Sequence, residues 1–197
     1  MAADRSAETP EWTAVTDCDD GCQVVTEAGT GWFVGGSAGL WSVSAAGTGT
    51  RVLLVEGSTG EPAWWSPAYA GVSDVDTARD GAEVWVAATG ADGGFWQSTD
   101  GADTWTRAVE DGWARGVDVD DRVPGRVMLA SSSATLSGGF DATSDGLRVS
   151  VDGGRSFTDA DGDLPWPFAL RVHTGPGVLW AVSPGVGLAV ADDPLAG

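Results

Sequence analysis

Short apolar runs recur along the chain at similar spacing. Each run begins with three hydrophobic residues, continues with two small residues (one of them valine in the last copy) and ends on serine or threonine. The copies occupy residues 32–37, 84–89, 127–132 and 178–183, so their starts lie 52, 43 and 51 residues apart. Runs this short, bounded by glycine, predict strands that are buried on both faces.

Further strands surround each run in the same order. A strand that opens with glycine and a large apolar residue follows each run, as at Gly39-Leu40 and Gly94-Phe95. An alternating strand precedes it, as at 72–76, and a closing strand follows, as at 104–109. Four antiparallel strands in about 40 to 50 residues form the blade of a β-propeller. The sequence therefore predicts an all-β fold, a small four-bladed β-propeller.

The sequence predicts that a strand near the N-terminus closes the ring of blades. The last repeat lacks its fourth strand, and Glu11-Trp12-Thr13-Ala14-Val15 is similar to the closing strand at 104–109. We expect this N-terminal strand to complete the last blade, because closure removes unpaired sheet edges. The prediction is a single domain over residues 1–197, with residues 1–9 frayed and residues 131–145 inserted as a loop in the third blade.

The charge of the chain excludes some partners. It carries 29 acidic residues against 10 basic ones, a net charge of −19. Such a chain repels the phosphates of nucleic acids and the headgroups of anionic membranes. The ten basic residues are all arginine. The composition resembles that of proteins from salt-accumulating halophiles, in which concentrated salt screens self-repulsion; the alternative is an acidic protein with a chance lack of lysine.

The expected location is the cytoplasm of a high-salt organism. No apolar run reaches the length of about 18 to 20 residues that a membrane helix needs. The first residues show no secretory signal pattern.

Two turns before closing strands share a motif. Ser98–Trp105 and Ser150–Phe157 resemble the Asp-box, or BNR repeat, Ser-x-Asp-x-Gly-x-Thr-Trp, although Ala102 replaces its usual glycine. In such a box the aspartates, here Asp100 and Asp152, accept backbone N–H groups across a tight turn. The aromatic residues, Trp105 and Phe157, are expected to pack between neighbouring sheets.

The resemblance to Asp-box propellers also bears on function. That family includes sialidases and other glycoside hydrolases, sortilin-type receptor domains and photosystem assembly factors, and its boxes usually lie on the face away from the functional site. A sialidase-like site needs an arginine triad and a tyrosine with a glutamate partner, whereas Tyr69 is the one tyrosine here and no arginines match. We therefore expect a non-catalytic protein-interaction or scaffold propeller without a cofactor; the alternative is a carbohydrate-binding or glycoside-hydrolase-like propeller.

Aromatic residues gather in the predicted loops between blades. Connections between blades share one face of a propeller, which predicts an aromatic face. Its members are Trp64, Trp65, Tyr69, Trp113 and Trp166. These side chains would either contact a protein partner or a glycan, or plug the narrow hub.

The predicted inner strands bring charged residues to the hub. We expect Asp74, Asp118 and Arg171 to occupy matching positions. Asp76, Asp120 and His173 would form a second matching set. A satisfied polar network, a central cation or a pair of catalytic carboxylates each fits this pattern.

A pair of cysteines lies close in sequence. Cys18 and Cys22 are separated by three residues. They can be free structural thiols, a local disulfide or redox pair, or two ligands of a metal. The flanking acidic residues raise thiol pKa values, which argues against a reactive pair.

Overall fold

The protein is built of antiparallel sheets. The structure, a computed structural model, describes residues 22–55, 71–78, 80–90, 92–132, 146–164, 169–183 and 187–193. These residues form fifteen strands and no helix, so they contain no helix that could cross a membrane. The strands are β1 (Cys22–Ala28), β2 (Gly31–Gly36), β3 (Gly39–Ser44), β4 (Gly49–Leu54), β5 (Gly71–Thr77), β6 (Val84–Thr89), β7 (Gly94–Ser98), β8 (Thr106–Glu110), β9 (Ala114–Val119), β10 (Val127–Ser131), β11 (Leu147–Ser150), β12 (Thr158–Asp159), β13 (Arg171–Gly175), β14 (Val178–Ser183) and β15 (Gly187–Asp192).

The strands form four sheets, each a meander in chain order. Blade 1 holds β1–β4, blade 2 holds β5–β8, blade 3 holds β9–β12 and blade 4 holds β13–β15. This confirms the predicted four-bladed all-β architecture. The described part of blade 4 has three strands. Three predicted features lie wholly or mostly outside the described residues: the closing strand at 11–15, the frayed residues 1–9 and the loop 131–145.

The repeated apolar runs became the second strands of the blades. Strand β6 is buried along its whole length, and β10 is buried likewise. Their side chains alternate between two neighbouring blades, so both faces are apolar. This is why the runs show no alternation of polar and apolar residues.

Three apolar clusters join successive blades. Between blades 2 and 3, the large side chains of Trp85 and Phe95 pack against Val117 and Leu129. A similar cluster joins blades 1 and 2 through Phe33 and Val75. The third joins blades 3 and 4 and is centred on Met128, Leu147, Val172 and Ala181.

The inner strands β1, β5, β9 and β13 line the axis in that order, with β5 between β1 and β9, and β9 between β5 and β13. One end of the axis carries both Asp-box turns, 98–105 and 150–157, and we call it the Asp-box face. The N–H of Gly101 donates to the Ala82 carbonyl, and the N–H of Gly153 to the Gly125 carbonyl, both at 2.9 Å. The turns that follow β5 and β9 therefore lie on this same face.

Candidate functional site: an axial cavity

The Asp-box aspartates form the predicted turns. Asp100 accepts hydrogen bonds from the backbone N–H and the hydroxyl of Thr104, at 2.9 and 2.5 Å. Asp152 does the same with Ser156, at 3.0 and 2.6 Å. The hydroxyl bonds, followed by the backbone bonds, lower the pKa of both carboxyls to about 2.

The aromatic residues of the boxes pack as expected. Trp105 is partly buried against the cluster between blades 1 and 2. Phe157 meets Trp85 of blade 2 edge to face, with ring centres 6.1 Å apart. The boxes therefore serve packing and turn formation in the described structure.

A cavity of about 530 Å³ lies on the axis between β5, β9 and β13. It reaches the Asp-box face, since the turn after β9 contributes to its wall. All four predicted hub residues, Asp74, Asp118, Arg171 and His173, line this cavity. Its other charged lining residues are Asp76, Asp120, Asp121 and Arg122.

Carboxylates in the cavity link strand β5 to β9 and strand β9 to β13. Asp74 and Asp76 of β5 accept the backbone N–H groups of Val117 and Val119, at 3.1 and 2.8 Å. Asp118 of β9 accepts the N–H of Thr174 at 2.9 Å. An inner strand is a sheet edge whose outward N–H groups have no ladder partner, so these carboxylates satisfy groups that would otherwise be buried unpaired.

Asp118 also orients the one histidine of the chain. Its Oδ1 lies 2.8 Å from Nδ1 of His173, while Oδ2 accepts the Thr174 hydroxyl at 2.5 Å. Asp118 is buried, whereas the His173 side chain is 71% exposed. An imidazole whose Nδ1–H donates to a carboxylate presents the lone pair of Nε2 on its far side.

The strand pairing corrects the predicted matching of hub positions. Asp76 lies opposite Trp85, and Asp118 lies opposite Met128, which are the second residues of β6 and β10. Asp76, rather than Asp74, is thus the counterpart of Asp118. An alternating sequence looks unchanged when it is shifted by two residues, so only the pairing with the next strand decides the register.

A second charged cluster lies at the wall of the cavity. The buried Arg126 donates to Asp193 at 2.7 Å and to Asp120 at 3.3 Å, which links blade 3 to the end of β15. Arg122 donates to Asp120 at 2.8 Å. Burial raises the pKa of Asp120, but the hydrogen bonds from Arg122 outweigh it, and the net shift is downward. No sequence motif singled out Arg122, Arg126 or Asp193; the available signal was the run Asp120-Asp121-Arg122 directly after an inner strand.

Two cavity carboxylates, Asp76 and Asp74, are incompletely neutralised by positively charged side chains. Burial raises the pKa of Asp76 to about 6, the charges of Asp118 and Asp74 add to this, and backbone hydrogen bonds oppose it. Burial also raises the pKa of Asp74, although Arg171 lies 3.8 Å away and counters the shift. A cation that entered the cavity would be attracted to this end of the axis.

Of the five residues of the predicted aromatic face, the structure describes one, Trp113. Trp113 is only 8% exposed, lies 5.9 Å from the guanidinium of Arg115, and donates its backbone N–H to Asp111 at 2.8 Å. The side chain of Trp113 is therefore packed inside the protein and is not exposed on its surface. The other four predicted members of that face, Trp64, Trp65, Tyr69 and Trp166, lie outside the described residues.

The structure bears on the state of the two cysteines. Cys22, at the start of β1, is disulfide-bonded, while Cys18 lies outside the described residues. Within the residues that the structure describes, no group of three or more histidine, cysteine or acidic side chains is arranged to hold a metal ion.

Comparisons place the fold among known structures. No protein-family model matches the sequence, and no curated protein matches it. The chain is similar to the GH74 enzyme of Niastella koreensis, with 18% identity, a TM-score of 0.56 and coverage of 84% of this chain and 27% of that one. It is also similar to the extracellular domain of a putative one-component system from B. thetaiotaomicron, with 11% identity, a TM-score of 0.61 and coverage of 86% and 21%.

A designed protein, Ika4, gives a third likeness. Its TM-score is 0.58 at 10% identity, with 94% of this chain and 99% of that one covered. The chain thus spans about a quarter and a fifth of the two natural proteins, but nearly all of the designed one. At these identities the likeness shows the fold alone, and the fold is that of a β-propeller.

Proposed function

We propose that this chain is a non-catalytic interaction propeller that binds a positively charged side chain of a partner protein in its axial cavity. The observation that carries the proposal is the charge of the cavity wall. Five carboxylates line it, against two guanidinium groups and one imidazole.

Asp76 is the carboxylate that such a ligand would meet. Its two hydrogen bonds come from the backbone N–H groups of Thr77 and Val119, so no described side-chain cation neutralises it. The same bonds fix its position. A preformed acceptor loses little conformational entropy when a ligand binds, which favours affinity.

A basic protein side chain also fits the position of the cavity and the net charge of the chain. Arginine and lysine carry their charge at the end of a long stem, which suits a cavity on the axis of the disc. Their opposite charge also favours approach to a chain with a net charge of −19. Nucleic acids and anionic membranes are repelled by the same charge.

The test compares two blocked peptides, Gly-Gly-Arg-Gly-Gly and the same peptide with neutral citrulline. We expect binding of the arginine peptide, measured by calorimetry at pH 7.5 and fixed KCl, to weaken about tenfold in Asp76→Asn. Asp163→Asn removes the same charge from an exposed site outside the cavity and is the matched control.

Proton linkage provides a second readout. Binding should weaken as the pH falls through about 6, because the Asp76 carboxylate becomes protonated. Equal binding of the citrulline peptide, or equal losses in the two variants, would contradict the proposal. The carbohydrate-binding alternative predicts instead a neutral ligand whose affinity does not follow the ionisation of Asp76.

A further inference from the structure

A second cavity, of about 580 Å³, opens between blades 1 and 2 on the Asp-box face, and we call it the blade 1–2 groove. The Asp-box turn of blade 2 borders it through Gly101, and the turn after β5 borders it through Asp80 and Gly81. Its other polar side chains are hydroxyls, and most of them are exposed, so the groove is open to solvent. The hydroxyl residues are Thr30, Ser42, Ser44, Thr48 and Thr50.

The corresponding space between blades 2 and 3 is filled by side chains of β6 and β7. Trp85 is fully buried there, and its indole N–H donates to Glu83 at 2.7 Å. The amide of Gln97 donates to Glu83 and to the carbonyl of Gly153 in the Asp-box turn of blade 3, both at 3.1 Å. An indole and a carboxamide thus close the Asp-box end of this junction.

Blade 1 carries smaller side chains at the equivalent positions. Phe33 takes the place of Trp85, since each packs toward the next blade from the second strand of its own blade. Strand pairing places Ser42 opposite Phe33, and Gln97 opposite Trp85. A phenyl ring and a hydroxymethyl group therefore occupy the positions of an indole and a carboxamide. The smaller groups leave the groove open beside Gly101, the counterpart of the Asp-box glycine that Gln97 contacts.

We propose that the blade 1–2 groove binds the side chain of a tryptophan from a partner protein. The junction between blades 2 and 3 shows that this repeat accepts an indole between blades, with its N–H bonded to a carboxylate. In the groove, Phe33 supplies an apolar wall and Asp80 supplies the carboxylate. The N–H of Ala82 donates to Oδ1 of Asp80 at 3.0 Å and holds that carboxylate in place. A buried indole with a satisfied N–H is a common anchor of protein interfaces.

The shape of the Asp-box face suits a polypeptide ligand. Gly29 borders both the groove and a further cavity of about 340 Å³. That cavity shares Asp76, Thr77 and Asp121 with the axial cavity. An extended segment of a partner can therefore run from the groove to the axis. The tryptophan site does not depend on cation binding in the axial cavity.

The first test compares two blocked peptides, Gly-Gly-Trp-Gly-Gly and Gly-Gly-Leu-Gly-Gly, by nitrogen-edited NMR of the protein. We expect the tryptophan peptide to shift the amide signals of Gly29, Gly81 and Gly101, which line the groove. The leucine peptide should leave them in place, because it offers neither the flat ring nor the N–H. Equal shifts with both peptides, or none with either, would overturn the proposal. Shifts of these signals by maltose but not by the tryptophan peptide would overturn it in favour of a sugar site.

Variants that fill the groove provide the second test. Phe33→Trp introduces the residue that blade 2 carries, and Thr50→Trp adds an indole from an exposed position on β4, without a change in the core. Each should weaken binding of the tryptophan peptide by about tenfold or more, because an indole of the chain itself occupies the site. Val151→Trp adds the same side chain at an exposed position in the Asp-box turn of blade 3 and should leave binding unchanged. Circular dichroism checks the fold of each variant. Unchanged binding in Thr50→Trp, or an equal loss in Val151→Trp, would refute the proposed site.

Discussion

Trp85 of blade 2 lies directly over Gly154 in the Asp-box turn of blade 3, so closely that a methyl group on Gly154 would lie 2.5 Å from Cζ2 and Cη2 of the indole. The indole is fully buried, and its N–H donates to Glu83 at 2.7 Å. Gly154 also has a φ of +82°, in the left-handed region. The glycine of this box therefore has both a steric and a conformational reason to be glycine.

The first prediction uses this contact. Gly154→Ala should lower the free energy of unfolding by about 2 to 4 kcal/mol, because overpacking and left-handed strain add. The matched position in blade 2 already holds Ala102, which is buried with a φ of 75°. There, Ala102→Gly should change stability by less than about 1 kcal/mol, since relief of strain offsets the loss of a buried methyl group. Urea unfolding measures both, and a neutral Gly154→Ala would show that Trp85 can move aside.

The second prediction concerns Asp76 and pH. Its pKa is raised from 3.8 to about 6, so the folded state binds the proton more tightly than the unfolded state does. Unfolding free energy should therefore rise as the pH falls from 7 toward 5, and this contribution should be lost as the pH rises through about 6. In Asp76→Asn that part of the pH dependence should disappear, whereas Asp163→Asn should retain it. Identical pH profiles for the two variants would rule out Asp76 as the cause.

The third prediction separates two arginines on one carboxylate. Arg126 is buried between Asp120 and Asp193, while the side chain of Arg122 is 39% exposed. Arg126→Met should cost about 3 to 5 kcal/mol, because it leaves buried carboxylates without their cation. Arg122→Met should cost much less than Arg126→Met, because an exposed ion pair contributes little to stability. Denaturant unfolding of the two variants measures the loss of unfolding free energy in each. Similar losses would contradict the prediction that the buried arginine contributes more to stability than the exposed one.

The fourth prediction concerns the Asp-box carboxylates in acid. The pKa values of Asp100 and Asp152 are lowered to about 2, so their hydrogen bonds stabilise the fold above pH 4 and are lost as the pH falls toward 2. Asp152→Asn should flatten the loss of stability between pH 4 and 2, measured by fluorescence-detected urea unfolding. Asp163→Asn again serves as the control, and a flattening of equal size there would assign the effect to net charge.

The fifth prediction concerns the orientation of His173. Nitrogen NMR of the single histidine should show a proton on Nδ1 when the ring is neutral, because Asp118 accepts from that atom. Asp118→Ala should remove this preference and also destabilise the protein, since the N–H and hydroxyl of Thr174 lose their acceptor. A neutral ring with its proton on Nε2 in the unmodified protein would contradict the described geometry.

Much of the architecture could be predicted from local pattern. Strands β6 and β10 were recognisable because a strand between two blades must be apolar on both faces. Strands β2 and β14 carry the same pattern, but the expectation of burial on both faces was wrong for them, since both have exposed residues. The Asp-boxes were recognisable because Asp100 and Asp152 bond to residues within four positions in sequence, so all partners of the turn lie in one short motif. Contacts of this kind need no knowledge of the rest of the fold.

Some positions were left open by the sequence, or were not singled out, for a common reason. Trp113 was assigned either to a partner contact or to a plug of the hub, and only the structure shows that Arg115 lies beside its ring and that 8% of it is exposed. Arg126 was not singled out, although it links Asp120 to Asp193, which is 67 residues away. Burial and long-range ion pairs depend on which strands become neighbours, and no local pattern encodes that.

The sequence by itself determined which segments become strands, their order in each blade and the Asp-box turns, since these depend on alternation and on bonds between near neighbours. Tertiary structure alone decided that Asp76 matches Asp118 and that the axial cavity is acidic at the Asp-box face. A period of two leaves the strand register ambiguous, and only pairing and packing between distant segments resolve it.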